Sequence, residues 1–520
     1  MRTRTQEQTS TVAYNATVDL LERNLVPGRA ERPYLITEER TWSYEEVAAA
    51  ADAAGSGLLG LGLSPGDRVI LATRDRAEFV ISFWGAIKAG LVAVPVAQGL
   101  STSDLDFMLT DSEARVIVCD SASAGAVLPA AERTGAMCLL VDGEQRDGIR
   151  SWAEVCGVSA SLDAAPTTGE DIALWLYTSG TTGLPKAVMH RHRHLEAAPG
   201  ALSRQVIGME AGDVVLSVSK MFFAYGLGNS VYLPAAANAS VVVNEAPVIP
   251  IHVQGLLNRT RPTLLFAVPA FYGGLTRLAE AELPSSVRMT ISAGEALTAD
   301  LFERFRDRFG LPLLDGLGAT EALHHITSNR PDDVVAGSAG RALDGYEVTA
   351  LDRDQQPVPE GGSGELWLKG PTTFAGYWRR PELTSRSFLD GWMRTGDLVR
   401  VVDGRVFHEG RLDDLIKLGG VWVAPREIEE VLRAHEDVQD AAVVAVDDET
   451  GVPILRAFLL SDRRDDALRK EVLRLCRGRL ATFKLPKSIE VVAELPRTPT
   501  GKLKRFVLRN GSRSAEPASS

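Results

Sequence analysis

The sequence predicts an α/β protein with a large N-terminal domain, residues 1–412, and a smaller α+β C-terminal domain, residues 413–520. The large domain is expected to hold parallel sheets layered with helices, plus a small β subdomain. Three observations predict this. Short apolar runs alternate with helical stretches from Arg68 to Asp315, the pattern of a parallel sheet covered by helices. Short strands and turns replace that alternation between Gly340 and Asp397, and the remainder is shorter and more charged. At 520 residues the chain also exceeds what one hydrophobic core sustains.

The elements follow in order. Residues 1–16 read as a loose arm and Thr17 to Asn24 as a short helix. Tyr34-Leu35-Ile36 and Arg40-Thr41-Trp42 read as strands. Ser43 with Glu46 three residues on forms a capping box, opening an Ala-rich helix that ends near Gly60–Gly62. A Ser64-Pro65-Gly66-Asp67 turn leads to a strand from Arg68 to Ala72, a helix from Asp75 to Lys88, and a strand from Gly90 to Val96. Arg115–Cys119, Met137–Val141, Ile172–Leu176, Ala187–His190, Asp213–Ser219, Leu264–Val268, Met289–Ser292 and Leu313–Asp315 continue the strands. Pro269 opens a helix. Glu347–Leu351 and Gly364–Lys369 belong to the β-rich stretch. Beyond the boundary at Asp413 come a helix Pro425–Ala434, strands Ala441–Val446 and Arg456–Leu460, a helix Arg464–Leu480 and a strand Ser488–Val492.

Composition narrows the class. Hydrophobic residues at 45% and charged residues at 24% describe an ordinary globular protein. A formal charge of −12 argues against a nucleic-acid or anionic-membrane partner. Cys119, Cys138, Cys156 and Cys476 are scattered without a CxxC, which suits a reducing, cytoplasmic setting rather than a disulfide framework or zinc site. The first residues lack the apolar region of a signal peptide, and no run of about 18 apolar residues spans a bilayer. The tail from Gly511 to Ser520 reads as disordered.

Chemistry concentrates in YTSGTTGLPK, Tyr177 to Lys186. Thr178, Ser179, Thr181 and Thr182 supply hydroxyls, Gly180 and Gly183 let the backbone approach a ligand, and Lys186 adds a cation. Such a loop suits a polyphosphate; alone it also reads as a surface hairpin. It is not a Walker A loop, because Pro185 precedes Lys186 and Ala187 follows it. His190, His192 and His194 alternate, but no third ligand or general base stands at metal-site spacing. They are expected to be solvated or bonded to backbone.

The order Thr-Ser-Gly-Thr-Thr-Gly-x-Pro-Lys resembles the signature loop of the adenylate-forming superfamily of acyl-CoA synthetases, adenylation domains and luciferases, where it grips the phosphates of ATP. Further segments match in order. Ser292-Ala293-Gly294-Glu295 and Asp315-Gly316-Leu317-Gly318-Ala319-Thr320-Glu321 resemble the segments enclosing adenine, with Glu321 as the acid that holds Mg²⁺. Asp397, in Arg394-Thr395-Gly396-Asp397, resembles the ribose acceptor, for which a carboxylate suits two vicinal hydroxyls. Arg411 resembles the arginine beside ribose and phosphate, Asp413 the hinge, Gly419 and Gly420 the thiol tunnel, and Lys502 the catalytic lysine. The resemblance implies that the C-terminal domain is mobile.

Phe222 to Asn229, Asp315 to His325 and Leu415 to Glu430 resemble the benzoate-CoA ligase branch. That implies an aryl-acid pocket of Phe223, Ala224, Tyr225, Gly318, His324 and His325. His325 stands where the branch usually has an aliphatic residue; either it bonds a hydroxyl or amino group on the substrate ring or it turns onto backbone or water, so the implied acid is benzoate or a hydroxy- or aminobenzoate. The implied reaction joins an aryl carboxylate to ATP as aryl-AMP, then passes the acyl group to the thiol of CoA. Direct loading of an acyl-carrier protein and luciferase-like oxygenation are the alternatives. A serine hydrolase is disfavoured because the chain lacks GxSxG. A non-catalytic binding module is disfavoured by intact Lys502, Glu321 and Asp397.

Overall fold

A computed structural model describes residues 12–143, 149–179, 185–418, 421–447, 453–496 and 503–511. The chain divides into two compact units: Met1–Val348 with Leu368–Met393, and Thr349–Trp367 with Arg394–Ser520.

The first unit begins with two helices that its sequence packs unusually close. The predicted capping box is present, and it opens α1 (Tyr44–Gly60). Ala48, Ala51 and Ala54 are buried along one face of α1, opposite α2 (Ala77–Lys88). Glycine meets glycine at the contact: a Cβ on Gly85 would lie 2.5 Å from Ala51 O, and one on Gly55 would lie 2.6 Å from Gly85 O. Lys88 is buried at the end of α2, and its charge is answered by Glu22 and Asp52. Asn15 caps the short Ala16–Leu20 helix and donates from Nδ2 to Ile87 O at 3.0 Å.

Behind these helices lies an eight-stranded sheet. Its centre is parallel: β1 (Arg68–Ala72) pairs with β2 (Val92–Pro95) and with Val116–Cys119, which continues to Met137–Leu140 and Ile149–Ser151. Beyond β2 stands β3 (Ile172–Ser179), which pairs antiparallel with β4 (Pro185–Arg191). The parallel expectation is therefore corrected at this edge. A short connection between β3 and β4 permits only an antiparallel hairpin. The helix α3 (His192–Ala198) follows directly.

A second, seven-stranded sheet is parallel apart from its Thr41–Ser43 edge. It ends in β5 (Met289–Ser292) and β6 (Leu313–Asp315), whose side chains Ile291, Leu313 and Leu314 are buried. The first sheet is closed at its far edge by β7 (Gly376–Tyr377), antiparallel to β4. Both sheets direct polar loops from the carboxyl ends of their parallel strands, the usual place for ligands in open α/β sheets.

In the second unit, β8 (Trp392–Val402) pairs antiparallel with β9 (Arg405–Arg411) and sets Asp397 opposite Arg411. A three-stranded sheet then packs on α4 (Pro425–Arg433) through Ile428, Leu432, Val443 and Leu455. Glu429 is buried there; Val443 N donates to it at 2.8 Å, and Arg505 pairs with it. Among the described residues no helix is long and apolar enough to cross a membrane.

The contact between α1 and α2 gives a stability test. Gly85→Val places methyls against backbone that cannot yield, and is expected to cost about 3 kcal/mol or more by overpacking. Gly125→Ala, in a helix with nothing within 4 Å of the new Cβ, is expected to raise stability by roughly 0.5–1 kcal/mol. Thermal unfolding of both variants checks this; equal effects would remove the tight crossing as the cause.

Candidate active site

The hairpin of β3 and β4 pairs Thr178 with Lys186 and Ser179 with Pro185. The side chain of Lys186 meets two partners. Its Nζ donates to Tyr377 Oη at 2.8 Å and lies 3.3 Å from Glu321 Oε1. Tyr377 Oη in turn donates to Glu321 Oε1 at 2.7 Å. Tyr377 is opposite Val188 in the sheet, so it shares a face of β4 and β7 with Lys186. Burial pushes the Glu321 carboxyl up, but Lys186 and Tyr377 outweigh it and hold the group below the usual carboxylate range. A cation, a phenol and a carboxylate thus converge, and Lys186 and Glu321 each keep about 20% of their side-chain surface exposed.

Glu321 sits in the 3₁₀ turn Thr320–Ala322. Its carbonyl accepts from Phe374 N at 2.8 Å, and His190 Nε2 bonds Thr320 O at 2.8 Å. His190, His192 and His194 are fully buried rather than solvated. Their packing leaves no exposed metal face: His190 and His194 meet through their Nδ1 atoms at 3.2 Å, and His192 Nδ1 accepts from Ala16 N. Elsewhere, among the described residues, His435, Asp437 and Glu471 cluster. Arg463 lies 2.6 Å from Asp437 and 3.1 Å from Glu471, and already supplies the positive charge there.

A wall of rings stands three residues beyond Glu321. Tyr225, His324 and His325 face one another with centroids 4.9 to 5.6 Å apart. Tyr225 Oη donates to Ile291 O at the end of β5. Asn229 donates from Nδ2 to Ser217 and accepts at Oδ1 from His324 Nε2 at 3.1 Å. His324 Nδ1 is then the acceptor of His325 Nδ1–H at 3.0 Å. His325 Nε2 is buried without a well-formed hydrogen bond to a described residue, and the Ser292 backbone stands beside the imidazole. Burial pushes the His325 imidazole down to about 4 and that of His324 well below its usual range, so both stay neutral. Gly316 and Gly318 make room for them: a Cβ on Gly316 would lie 2.2 Å from His325 Cδ2, and one on Gly318 would lie 2.5 Å from His324 O. Phe223 packs on Phe222 at 4.1 Å, and Ala224 opens the short helix carrying Tyr225.

The remaining expected residues fall as follows. Asp315 ends β6, and Gly316 N donates to Ser292 O at 3.0 Å. Gly294 has φ +87° in the turn after β5, and Glu295 accepts from Ala270 N. In the second unit Asp397 Oδ1 accepts from Arg411 at 3.0 Å and from His408 Nε2 at 3.2 Å. Arg426 on α4 donates to His408 Nδ1 at 2.6 Å, which fixes the Nε2–H tautomer. Burial alone would raise the Asp397 carboxyl, but His408 and Arg411 bring it down to about 2. Asp413 is in the 3₁₀ turn Leu412–Asp414 that follows β9. Gly180, Thr181, Thr182, Gly183, Gly419, Gly420 and Lys502 lie outside the described residues.

Sequence reasoning missed Tyr377, His190, Asn229, His408 and Arg426. Tyr377 is 191 residues from Lys186 and 56 from Glu321, so no local spacing marks it. Only the hairpin register, with His408 across from Val399, carries a trace of the Asp397–His408 pair.

Comparison with known proteins gives a consistent result. The AMP-binding enzyme family matches residues 22–378, and the AMP-binding enzyme C-terminal domain matches residues 427–502. The chain is 38% identical over 509 residues to a benzoate–CoA ligase of Thauera aromatica, covering 96% of each. It is 36% identical over 511 residues to a 4-hydroxybenzoate–CoA/benzoate–CoA ligase of Rhodopseudomonas palustris, covering 95% of this chain and 94% of that one. The crystal structure of the anthranilate CoA ligase AuaEII with anthranoyl-AMP superposes with a TM-score of 0.90 at 33% identity, covering 96% and 97% of the two chains.

The depressed Asp397 carboxyl makes a pH-dependent contribution with a definite sign. Its stabilisation is full above about pH 4 and is lost as pH falls toward 2. Nearly two pH units correspond to about 2 kcal/mol. The unfolding free-energy gap between wild type and Asp397→Asn is expected to be constant from pH 5 to 7 and to narrow below pH 4. A gap that does not change with pH would show that His408 and Arg411 do not hold the charge.

Proposed function

Because the chain belongs to the AMP-binding enzyme family, we propose that it is an ATP-dependent aryl-acid–CoA ligase acting in the cytoplasm. It makes an aryl-AMP and passes the acyl group to the thiol of CoA. The observation that carries this reading is the Lys186–Tyr377–Glu321 cluster at the foot of the phosphate-type hairpin, three residues before a wall of rings.

In the first half-reaction the substrate carboxylate oxygen attacks the α-phosphorus of ATP, and the bond to pyrophosphate breaks. Two anions must meet, so positive charge has to be concentrated there. Lys186 exchanges its phenol and carboxylate partners for phosphate oxygens, and the loop hydroxyls of Thr178, Ser179, Thr181 and Thr182 take up the rest of the polyphosphate. Glu321 is released from Lys186 by that exchange, and its carboxylate is a fitting ligand for Mg²⁺. Mg²⁺ bound there would draw charge from the phosphate oxygens. Asp397 accepts the ribose hydroxyls: both of its described bonds fall on Oδ1, which leaves Oδ2 for the sugar. Lys502 neutralises charge at the reacting carboxylate and phosphate. In the second half the thiol sulfur attacks the acyl carbon and AMP leaves with the electron pair. Gly419 and Gly420 line the path of the thiol after residues 413–520 turn about Asp413.

Two measurements test this reading. Aryl acids are expected to drive exchange of pyrophosphate into ATP without CoA. Lys502→Ala should remove that exchange, at about 3–4 kcal/mol in the barrier, yet spare thioester formation from supplied aryl-AMP. Equal loss in both halves would make Lys502 a folding residue, and release of phosphate instead of pyrophosphate would defeat the reading.

The second measurement concerns the ring. The His325 imidazole hydrogen-bonds a hydroxyl or amino group of the substrate ring, so hydroxy- or aminobenzoates are expected to be preferred over benzoate by roughly a thousandfold in kcat/KM. His325→Ile should move the preference toward benzoate. A wild type that favours benzoate, with a ranking unchanged in the variant, would show that His325 does not read the ring.

A further inference from the structure

We infer that His190 is a positioning residue that holds the peptide carrying Glu321, so that one strand clamps the carboxylate from two sides. The inference rests on the proposed role of Glu321 and adds a residue to it.

Period-two alternation places Lys186, Val188 and His190 on one face of β4. That face meets the Thr320–Ala322 turn. Lys186 takes the Glu321 side chain, and four residues along the strand His190 takes the Thr320 carbonyl at 2.8 Å. A carbonyl can only accept, so His190 carries its proton on Nε2. The ring is fully buried, and burial pushes it down to about 4, so it is neutral and Nδ1 holds a lone pair. His194 Nδ1 lies 3.2 Å from that atom and accepts from Arg191 N at 3.4 Å, so it packs behind the ring. The result is a directed bond from His190 to the peptide before Glu321, with the ring held in place by burial.

The turn needs such a restraint. Leu323, immediately after it, has φ +65°, a region that L side chains avoid. A strained backbone persists only when its neighbours over-determine it. Here Phe374 N holds Glu321 O at 2.8 Å and Thr372 Oγ1 holds Ala322 O at 2.6 Å. Those bonds hold the turn from the C-terminal side. His190 bonds the peptide on the N-terminal side, and without it the turn is free to relax and swing the carboxylate away from Lys186 and Tyr377.

The test uses the full-length enzyme, with Mn²⁺·ATP binding read by water-proton relaxation. His190→Phe keeps the flat ring and loses the donor; it is expected to weaken Mn²⁺·ATP binding about tenfold, with little change in thermal midpoint or in aryl-acid binding. His190→Gln, whose amide nitrogen falls near the position of Nε2, should return binding to within about threefold. Should His190→Phe not fold, His190→Leu loses the same donor in a smaller side chain and should weaken binding about tenfold. Independently, ¹⁵N spectra of histidine-labelled wild type should show His190 as the neutral Nε2–H tautomer. Wild-type binding in either reporting variant, a parallel loss of nucleotide and aryl-acid binding with a lowered midpoint, or an Nδ1–H tautomer would overturn the inference. Absence of aryl-dependent pyrophosphate exchange in the wild type would overturn the proposed function instead, and would leave the tautomer result standing.

Discussion

The arrangement in the first unit depends on how the Glu321 carboxylate is satisfied before any ligand arrives. An ionised carboxylate removed from bulk water is costly unless it is paired and hydrogen-bonded. Here Lys186 and Tyr377 share one oxygen, at 3.3 and 2.7 Å. The three residues come from a hairpin, a 3₁₀ turn and a sheet edge. The short β7 strand therefore has a purpose beyond closing the sheet: it brings a phenol to the hairpin. The same pairing fixes where the Lys186 ammonium stands near the start of β4. Polyphosphate is a competitor that both groups can accept, since it offers oxygens to the lysine and shares a divalent cation with the carboxylate.

The aromatic wall solves a different problem. Tyr225, His324 and His325 are apolar in area and polar at their edges, so each edge needs a partner. Asn229 and Ile291 O provide two of them. The contacts run from Asn229 through His324 to His325, which stands beside the Ser292 backbone. Gly316 and Gly318 permit this crowding, since a side chain at either would strike the imidazoles or the peptide between them. Nearby, Ser292 Oγ is buried with no hydrogen-bond partner among the described residues, at the end of β5. Ser292 Oγ and the His325 imidazole lie at the carboxyl end of a parallel sheet, the usual place for a ligand in an open α/β fold.

Much of this was legible in the sequence, for physical reasons that vary by residue. The Ser43–Glu46 cap, the strands from Arg68 to Asp315 and the Pro269 helix start are local signals, and the structure repeats them within a few residues. The loop and turn residues Lys186, Glu321 and Asp397 were legible because each sits in a contiguous motif. The antiparallel edge of the first sheet was not anticipated, since strand direction depends on the length of the connection rather than on apolar pattern. The helices Thr102–Ser112 and Ser121–Thr134 escaped because small and polar residues dominate both, and the second even contains Pro129. Tyr377, His190 and Asn229 escaped because each bonds a partner at least 95 residues away and their role is to hold other residues. His190 and its two neighbours were read as solvated or backbone-bonded; the structure keeps the backbone bond and buries the rings.

Burial of those rings has a consequence for the whole enzyme. Histidine is ordinarily the side chain that changes charge near neutrality. Of the eight in this chain, His190, His192, His194, His324 and His325 are all buried and pushed well below their usual range. They act as neutral dipoles, and none of them gains charge near neutral pH. The field around Glu321 and around the Tyr225–His324–His325 wall is thereby set by fixed neighbours rather than by histidine protonation.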